Sequence, residues 1–313
     1  MTISSRVDAR GAHVGASRHT SDGVEPLVWI NGERRPGGGT HVSAYDRGVT
    51  LADGVFETMR VRGVTAFRLD RHLARLHRGM AALEIPAPPE LEAWLRVVVR
   101  ADAAPPVRAR DTSLRITVTR GVGPPGVGVP TLVVPTVIIT LGPMPAFPAS
   151  IYDNGLSAHV ASGRRNEHAM TAGLKTLAYT DAVAGLMEAR RAGADEALFL
   201  DTEGHCSEAS ASILFVWTGS ALMTPPLSCG VLPGVTREAV LELARAEGLP
   251  VVERACRLEE LLASEEIFLT SSLRGLAPVV RVGPQVIGRG TPGPVTRRLT
   301  AAYGALVDRE CGT

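Results

Sequence analysis

Two mixed α/β domains joined by a short linker are the fold this sequence predicts. Three observations point there. Segments of strand-like alternation and segments of helical periodicity interleave along the chain. The stretch "PMPAFPAS", residues 143–150, packs three prolines into eight residues near the middle. The 313 residues suit one large domain or two ordinary ones, and 45% apolar residues supply a sizeable core.

Residues 1–26 are rich in Ser, Gly, Arg and His and lack periodicity, so a disordered leader is expected. A small N-terminal α+β domain is predicted over 27–142, with strand signals from "LVWING" onward. "GVFETMRV" alternates, with Phe56, Thr58 and Arg60 on one face and Val55, Glu57 and Met59 on the other. Arg62-Gly63 turns into "VTAFR", which makes a hairpin. In "LDRHLARLHRGMAALEI" the apolar residues at 69, 73, 76, 80 and 83 form one helical stripe, with Asp70 as N-cap. A second helix runs through "ELEAWLRVVVRAD", and strands follow in "SLRITVTRG" and "TLVVPTVIITLG".

Beyond the linker at 143–150, a large C-terminal domain over 151–313 opens with "LSAHVAS" and a helix holding Lys175. Strands "EALFLDT" and "SASILFVWTG" form a hairpin around Glu203-Gly204. The loop "CGVLPG", helix "TREAVLELARAEG", strand "PVVERA", helix "LEELLA", strands "EIFLTSS" and "PVVRVG" and a closing helix "GPVTRRLTAAYGALV" complete the order.

The net charge is +1 and no Lys/Arg run exceeds two residues, which excludes nucleic acid and anionic membranes as partners. The longest apolar run is too short to span a bilayer, and no signal-peptide core is present near residue 1. Cys206, Cys229, Cys256 and Cys311 are scattered, with no CxxC and no metal-type spacing to His; reduced thiols in a cytoplasmic protein are expected, and no metal. Gly121 to Gly126 fits G-x-G-x-x-G, but its two prolines remove backbone donors and no helix follows, so no dinucleotide site is expected.

Of 33 basic Lys and Arg residues, one alone, Lys175, is lysine. On a solvated surface the two are nearly exchangeable. They are not where an amine must lose its proton and attack a carbonyl, because arginine stays protonated. A lone lysine is therefore a candidate Schiff-base lysine. Such chemistry points to pyridoxal phosphate, which needs that lysine, an acid for its pyridine nitrogen and an anion cradle for its phosphate. Glu208, at the entry to an apolar strand, is the candidate acid. "GVLPGVTREAV" runs into a helix whose first turn, Val235-Thr236-Arg237, offers free N–H groups to an anion. Arg75, one turn after His72, and the hydroxyls of Thr270, Ser271 and Ser272 in "LTSSLRG" are further candidates.

These residues resemble the class IV (fold-type IV) pyridoxal-phosphate enzymes. The matching stretches include "DRGVTLADGVFETMRV", "RNEHAMTAGLKTLAYTDAV", "GADEALFLDTEGHCSEASAS" and "LMTPPLSCGVLPGVTRE", in family order from about residue 27 to the end. The resemblance implies the D-amino-acid aminotransferase-like two-domain fold. It makes Lys175 the Schiff-base lysine and proton carrier, with Glu208 on the pyridine nitrogen. The phosphate then falls to Arg75, the backbone of Val235 and Thr236, and Ser271 and Ser272. A homodimer with a small-molecule substrate is implied. The sequence is most similar to the aminodeoxychorismate lyases, which implies conversion of 4-amino-4-deoxychorismate to 4-aminobenzoate and pyruvate. A transaminase acting on branched-chain, D-amino acid or amine substrates is the alternative.

Arg115, inward on "SLRITV", matches a substrate-carboxylate arginine of the branched-chain type, and Phe56 is assigned to the same pocket. The loop "TRGVGPPGVGVP" lacks the Arg and His with which D-amino-acid transaminases trap a carboxylate. Three positions depart from the family pattern. Its Gly-Asp-Gly reads Ala52-Asp53-Gly54, the usual Asn near the glutamate is Ile213, and the usual Asn or Ser three residues past the lysine is Ala178.

Overall fold

The computed structural model describes residues 26–37, 39, 41–101 and 111–312. The leader expected at 1–26 lies outside the described residues except for Pro26. The first part of the chain runs β1 (Leu27–Ile30), β2 (Glu33–Arg35), α1 (Arg47–Leu51), β3 (Gly54–Arg62), β4 (Thr65–Ala66), α2 (Leu69–Ala82), α3 (Leu91–Ala101), β5 (Thr112–Thr119) and β6 (Thr136–Pro143). Its strands form one antiparallel sheet in the order β2-β1-β6-β5-β3-β4.

The alternation of β3 and β5 sorts their side chains. Val55, Met59, Val61, Leu114, Ile116 and Val118 point into a core closed by α2 and α3. From α2, Leu76 and Met80 are fully buried there, while Leu69, Leu73 and Leu83 pack at its rim, as the stripe predicts. Each fully buried large side chain contributes about 1.5–3 kcal/mol. Phe56, Thr58 and Arg60 of β3 face the other way, and with them Arg115, which lies opposite Thr58.

Two expectations fail in this half. The N-cap of α2 is not Asp70 but Arg68, in left-handed conformation with φ 52° and no side-chain cap; Asp70 lies inside the first turn. There its charge still favours the positive end of the helix. The strand read in "TLVVPTVIITLG" starts only at Thr136, after Pro135, which cannot donate to a ladder.

Residues 144–149 lead to α4 (Ser150–Asp153) and a second, larger sheet. Its elements are β7 (Leu156–Arg165), α5 (Thr180–Arg191), β8 (Glu196–Asp201), β9 (Cys206–Ala209), β10 (Ile213–Trp217), β11 (Leu222–Thr224), α6 (Val235–Ala246), β12 (Val251–Glu253), α7 (Leu258–Leu262), β13 (Glu266–Ser271), β14 (Gly275–Val282), β15 (Gln285–Val286) and α8 (Pro294–Cys311). The order is β12-β11-β10-β13-β14-β7-β8-β9, with β15 on β14. A further pairing of β9 with β10, Glu208 opposite Ile213, closes six of these strands into a ring. The ring is filled by Leu198, Leu200, Leu214, Ile267, Leu269 and Val279. Helices α6 and α8 cover its outside around Phe215, Phe268 and Leu299.

Lys175 is not in a helix. It lies in the loop between β7 and α5, and that loop is stitched to the end of β3. Phe56 N–H donates to the Lys175 carbonyl at 3.0 Å, Leu177 N–H donates to the Gly54 carbonyl at 3.0 Å, and Thr176 bridges Val55. Among the described residues no helix is long and apolar enough to cross a membrane.

Candidate active site

The stitching puts Lys175 between the two sheets, at the wall of a cavity of about 280 Å³. Its Nζ donates to the Tyr179 hydroxyl at 3.2 Å and lies 4.4 Å from the Phe56 ring centroid. Burial and the Arg75 charge lower the lysine to about 8, against the weaker opposing pull of Glu57 and Glu208. At neutral pH a useful fraction of this amine is free to act as nucleophile or base. Tyr179 in turn packs edge-on against Phe56, with ring centroids 5.2 Å apart. The sequence reading assigned no role to Tyr179. Its spacing within "LKTLAYT" was the available signal, because residues four apart also share a face of the helix expected there.

Glu208 lines the same cavity from the ring seam. Leu232 N–H donates to its Oε2 at 3.1 Å, and Arg165 Nε stands 3.4 Å from its Oε1. Burial raises this carboxyl above its ordinary value despite Arg165, the Leu232 N–H and Lys175. A protonated ring nitrogen set against it supplies the charge that would bring it back down.

The third corner is the start of α6. Its N-cap, Gly234, has no side chain to cap the helix, so the N–H groups of Val235 and Thr236 have no capping acceptor. A Cβ on Gly234 would meet Ile213 Cδ1 at 2.3 Å, so a larger residue there has to displace the end of that side chain. Thr236, Thr270, Ser271 and Ser272 line the same end of the cavity. Ser271 Oγ also accepts from Arg274 N–H at 3.4 Å.

Arg75 reaches this corner from α2, but most of its guanidinium is committed. Nε and Nη2 donate to the two oxygens of Glu57 at 2.7 and 2.8 Å, and Nη1 donates to the Pro233 carbonyl at 2.8 Å. Two of its five N–H groups remain for a ligand. His72 Nδ1 also bonds Glu57 Oε2 at 2.7 Å. Burial opposes ionisation of Glu57, but its bonds to the Arg75 cation and to His72 outweigh it and pull the carboxyl down to about 2. Desolvation lowers His72, which Glu57 only partly offsets. The sequence reading placed Glu57 on the inward face of β3 without assigning it a partner; a carboxylate on an apolar face was the signal.

Arg115 and Phe56 sit beside Lys175 rather than in the cavity wall. The Arg115 guanidinium lies 3.7 Å from the Phe56 ring centroid and has no hydrogen-bond acceptor or ion pair among the described residues. Of the departures, Ala178 and Ile213 line the cavity, and Ala52 adopts the left-handed conformation with φ 55°. Glycine enters that region without the cost of about 1 kcal/mol that a Cβ brings.

The amine, the acid and the anion cradle demanded by pyridoxal phosphate thus line one cavity, from three separate chain segments. Comparison with known proteins agrees. The family profile "amino-transferase class IV" matches residues 54–282. A solved 4-amino-4-deoxychorismate lyase from Pseudomonas aeruginosa is similar with a TM-score of 0.79 and 31% identity, over 91% of this chain and 100% of that one. The branched-chain amino acid aminotransferase of Escherichia coli gives a TM-score of 0.85 at 28% identity, over 92% and 96%. The D-alanine aminotransferase of Bacillus licheniformis is 31% identical over 278 residues, 88% of this chain and 95% of its own. The chain belongs to the class IV aminotransferases, a family of pyridoxal-phosphate enzymes with the fold-type IV architecture.

Proposed function

We propose that this chain is a 4-amino-4-deoxychorismate lyase that releases 4-aminobenzoate and pyruvate, using pyridoxal phosphate held by Lys175, Glu208, Arg75, the N–H groups of Val235 and Thr236, and Ser271 and Ser272. The observation that carries the reading is the Lys175 amine, lowered to about 8 and held by Tyr179 in the cavity that Glu208 also lines. When bound, the cofactor supplies an electron sink conjugated to the carbon that bears the substrate amine. Lys175 Nζ takes the proton from that carbon, and the Tyr179 hydroxyl holds the amine in line. Glu208 keeps its charge toward the ring nitrogen. Arg115, a cation with no hydrogen-bond acceptor or ion pair among the described residues, takes a substrate carboxylate against Phe56. Loss of the enolpyruvyl group as pyruvate then leaves an aromatic ring, which makes the step irreversible.

The similarity to the Pseudomonas aeruginosa lyase supports this choice of substrate. Residues 121–135 contain neither Arg nor His, which speaks against a D-amino-acid carboxylate trap there. A class IV transaminase is the second reading, favoured by the branched-chain and D-alanine aminotransferase relatives. In it Lys175 returns the proton instead of assisting a leaving group. We read the assembly as a cytoplasmic homodimer, as the family pattern implies.

The deciding experiment gives purified holoenzyme 4-amino-4-deoxychorismate and follows 4-aminobenzoate and pyruvate together. Equal appearance of both is expected, with loss of at least about a thousandfold in Lys175→Ala. Neither product, with the cofactor absorbance intact, overturns the lyase reading in favour of a transaminase. A screen of L-amino acids, D-amino acids and simple amines against pyruvate and 2-oxoglutarate then identifies the substrate.

A further inference from the structure

The fold gathers a second set of reactive side chains outside the cofactor cavity. Asp201 ends β8, His205 precedes β9 across the hairpin tip, and Cys229 closes the 3₁₀ turn Leu227–Cys229. One donor atom from each lies within 4.8 Å of the other two. The sequence hides this grouping, because Cys229 stands far from any histidine along the chain.

The donors are aimed and braced. Asp201 Oδ1 accepts from the N–H groups of Glu203 and His205 at 3.1 and 2.7 Å, which turns Oδ2 toward His205 Nδ1 at 3.3 Å. Glu203 Oε2 stands 3.6 Å from the same Nδ1. The Cys229 carbonyl accepts from Ser207 Oγ at 2.7 Å, which fixes the turn that carries the thiol. Thr202 N–H and Oγ1 donate to Glu167 at 3.0 and 2.6 Å and so fix the hairpin tip. The nearby Arg257 guanidinium reaches the backbone carbonyl of Glu203, not a carboxylate of the group.

We propose that Asp201, His205 and Cys229 bind a divalent transition metal of the zinc type, with Glu203 as the fourth ligand. One sulfur, one imidazole nitrogen and carboxylate oxygens suit zinc, whereas magnesium and calcium take oxygen alone. Tetrahedral zinc spaces such ligands roughly 3.3–3.6 Å apart. The His205–Asp201 and His205–Glu203 separations, 3.3 and 3.6 Å, already match. The sulfur lies within 4.8 Å of the Asp201 and His205 donor atoms. Binding forms a metal–sulfur bond, breaks the thiol S–H bond and releases that proton to solvent; no oxidation change is involved. Gly230 follows Cys229 in the cavity lining, and Leu232 holds Glu208. The metal therefore ties the hairpin that carries Glu208 to the loop that orients it. The assignment does not depend on which reaction the cavity performs.

The test uses holoenzyme freed of metal with a chelator and titrated with cobalt(II), followed in the visible d–d bands beyond the cofactor absorption. One equivalent of cobalt in intense tetrahedral absorption, displaced by zinc(II), is expected. Affinity falls by about tenfold or more in both Cys229→Ser and His205→Gln, while cofactor absorbance is retained. Two variants on different segments keep the test informative should one of them not fold. Unchanged affinity in the variant or variants that fold overturns the assignment. So does the absence of tetrahedral cobalt in the parent enzyme, which leaves Cys229, Asp201 and His205 as a polar cluster only.

Discussion

Lys175 sets the pH behaviour at the scale of single residues. Its amine titrates near 8, against 10.5 for a solvated lysine, because burial and Arg75 both disfavour the charge. The rate of cofactor capture by apoprotein therefore rises between about pH 7 and pH 9, with its midpoint near 8. A midpoint above pH 10 in stopped-flow absorbance overturns this account. Stability carries the same signature. Between about pH 8 and 10.5 the unfolded chain binds the proton that the folded apoprotein has released. Stability of the apoprotein thus increases with pH across that window, and Lys175→Met removes the increase. The amine faces an open cavity, so the gain in the variant at pH 7 is of the order of 1–2 kcal/mol.

At the scale of elements, α2 docks on β3 through charge as well as apolar contact. Glu57 is the hub, bonded to His72 and Arg75. Its carboxyl titrates at about 2 instead of 4.5, so the stability it contributes is complete above 4.5 and is lost as pH falls toward 2. Depressed His72 works in the same direction, because the unfolded chain takes up a proton near its ordinary value while the folded one resists. Glu57→Gln is expected to cost about 3–5 kcal/mol at pH 7, since it leaves the buried Arg75 guanidinium without its carboxylate partner. It should also flatten the acid limb of a denaturant-versus-pH series. A variant with parental stability at pH 7 refutes the hub role.

These elements differ in how far the sequence revealed them. The faces of β3 and the stripe of α2 were legible because period 2 and period 3.6 are local patterns. The Lys175 loop was not. Its order comes from hydrogen bonds to β3, a partner distant along the chain, and its run of small and apolar residues imitates a helix. The cap of α2 was misread because a left-handed Arg68 leaves no mark in composition. Lys175, Glu208 and the α6 start were legible as chemistry; the role of Glu57 emerged only when α2 was laid against β3.

Across the whole molecule, the first sheet grips the second through a few strong points. Phe67 follows β4 yet is buried in the core of α6 and α8, edge-on to Tyr303 with centroids 5.7 Å apart. Arg60 Nη2 donates to the Leu273 carbonyl at 2.7 Å, and Arg68 bonds Glu242 of α6 and Glu310 of α8. Phe67→Ala is expected to cost about 3–5 kcal/mol. It should broaden calorimetric unfolding into two transitions, because the two cores then melt independently; a single transition at the parental temperature contradicts this. The lone lysine has a consequence at this scale too. Where most enzymes scatter ε-amines over their surface, this chain keeps its only one in the cavity that Glu208 lines. Under the proposed function, any reagent that counts ε-amines on it is therefore an active-site titrant. Borohydride trapping followed by peptide mapping reads cofactor occupancy directly, with no background from surface lysines.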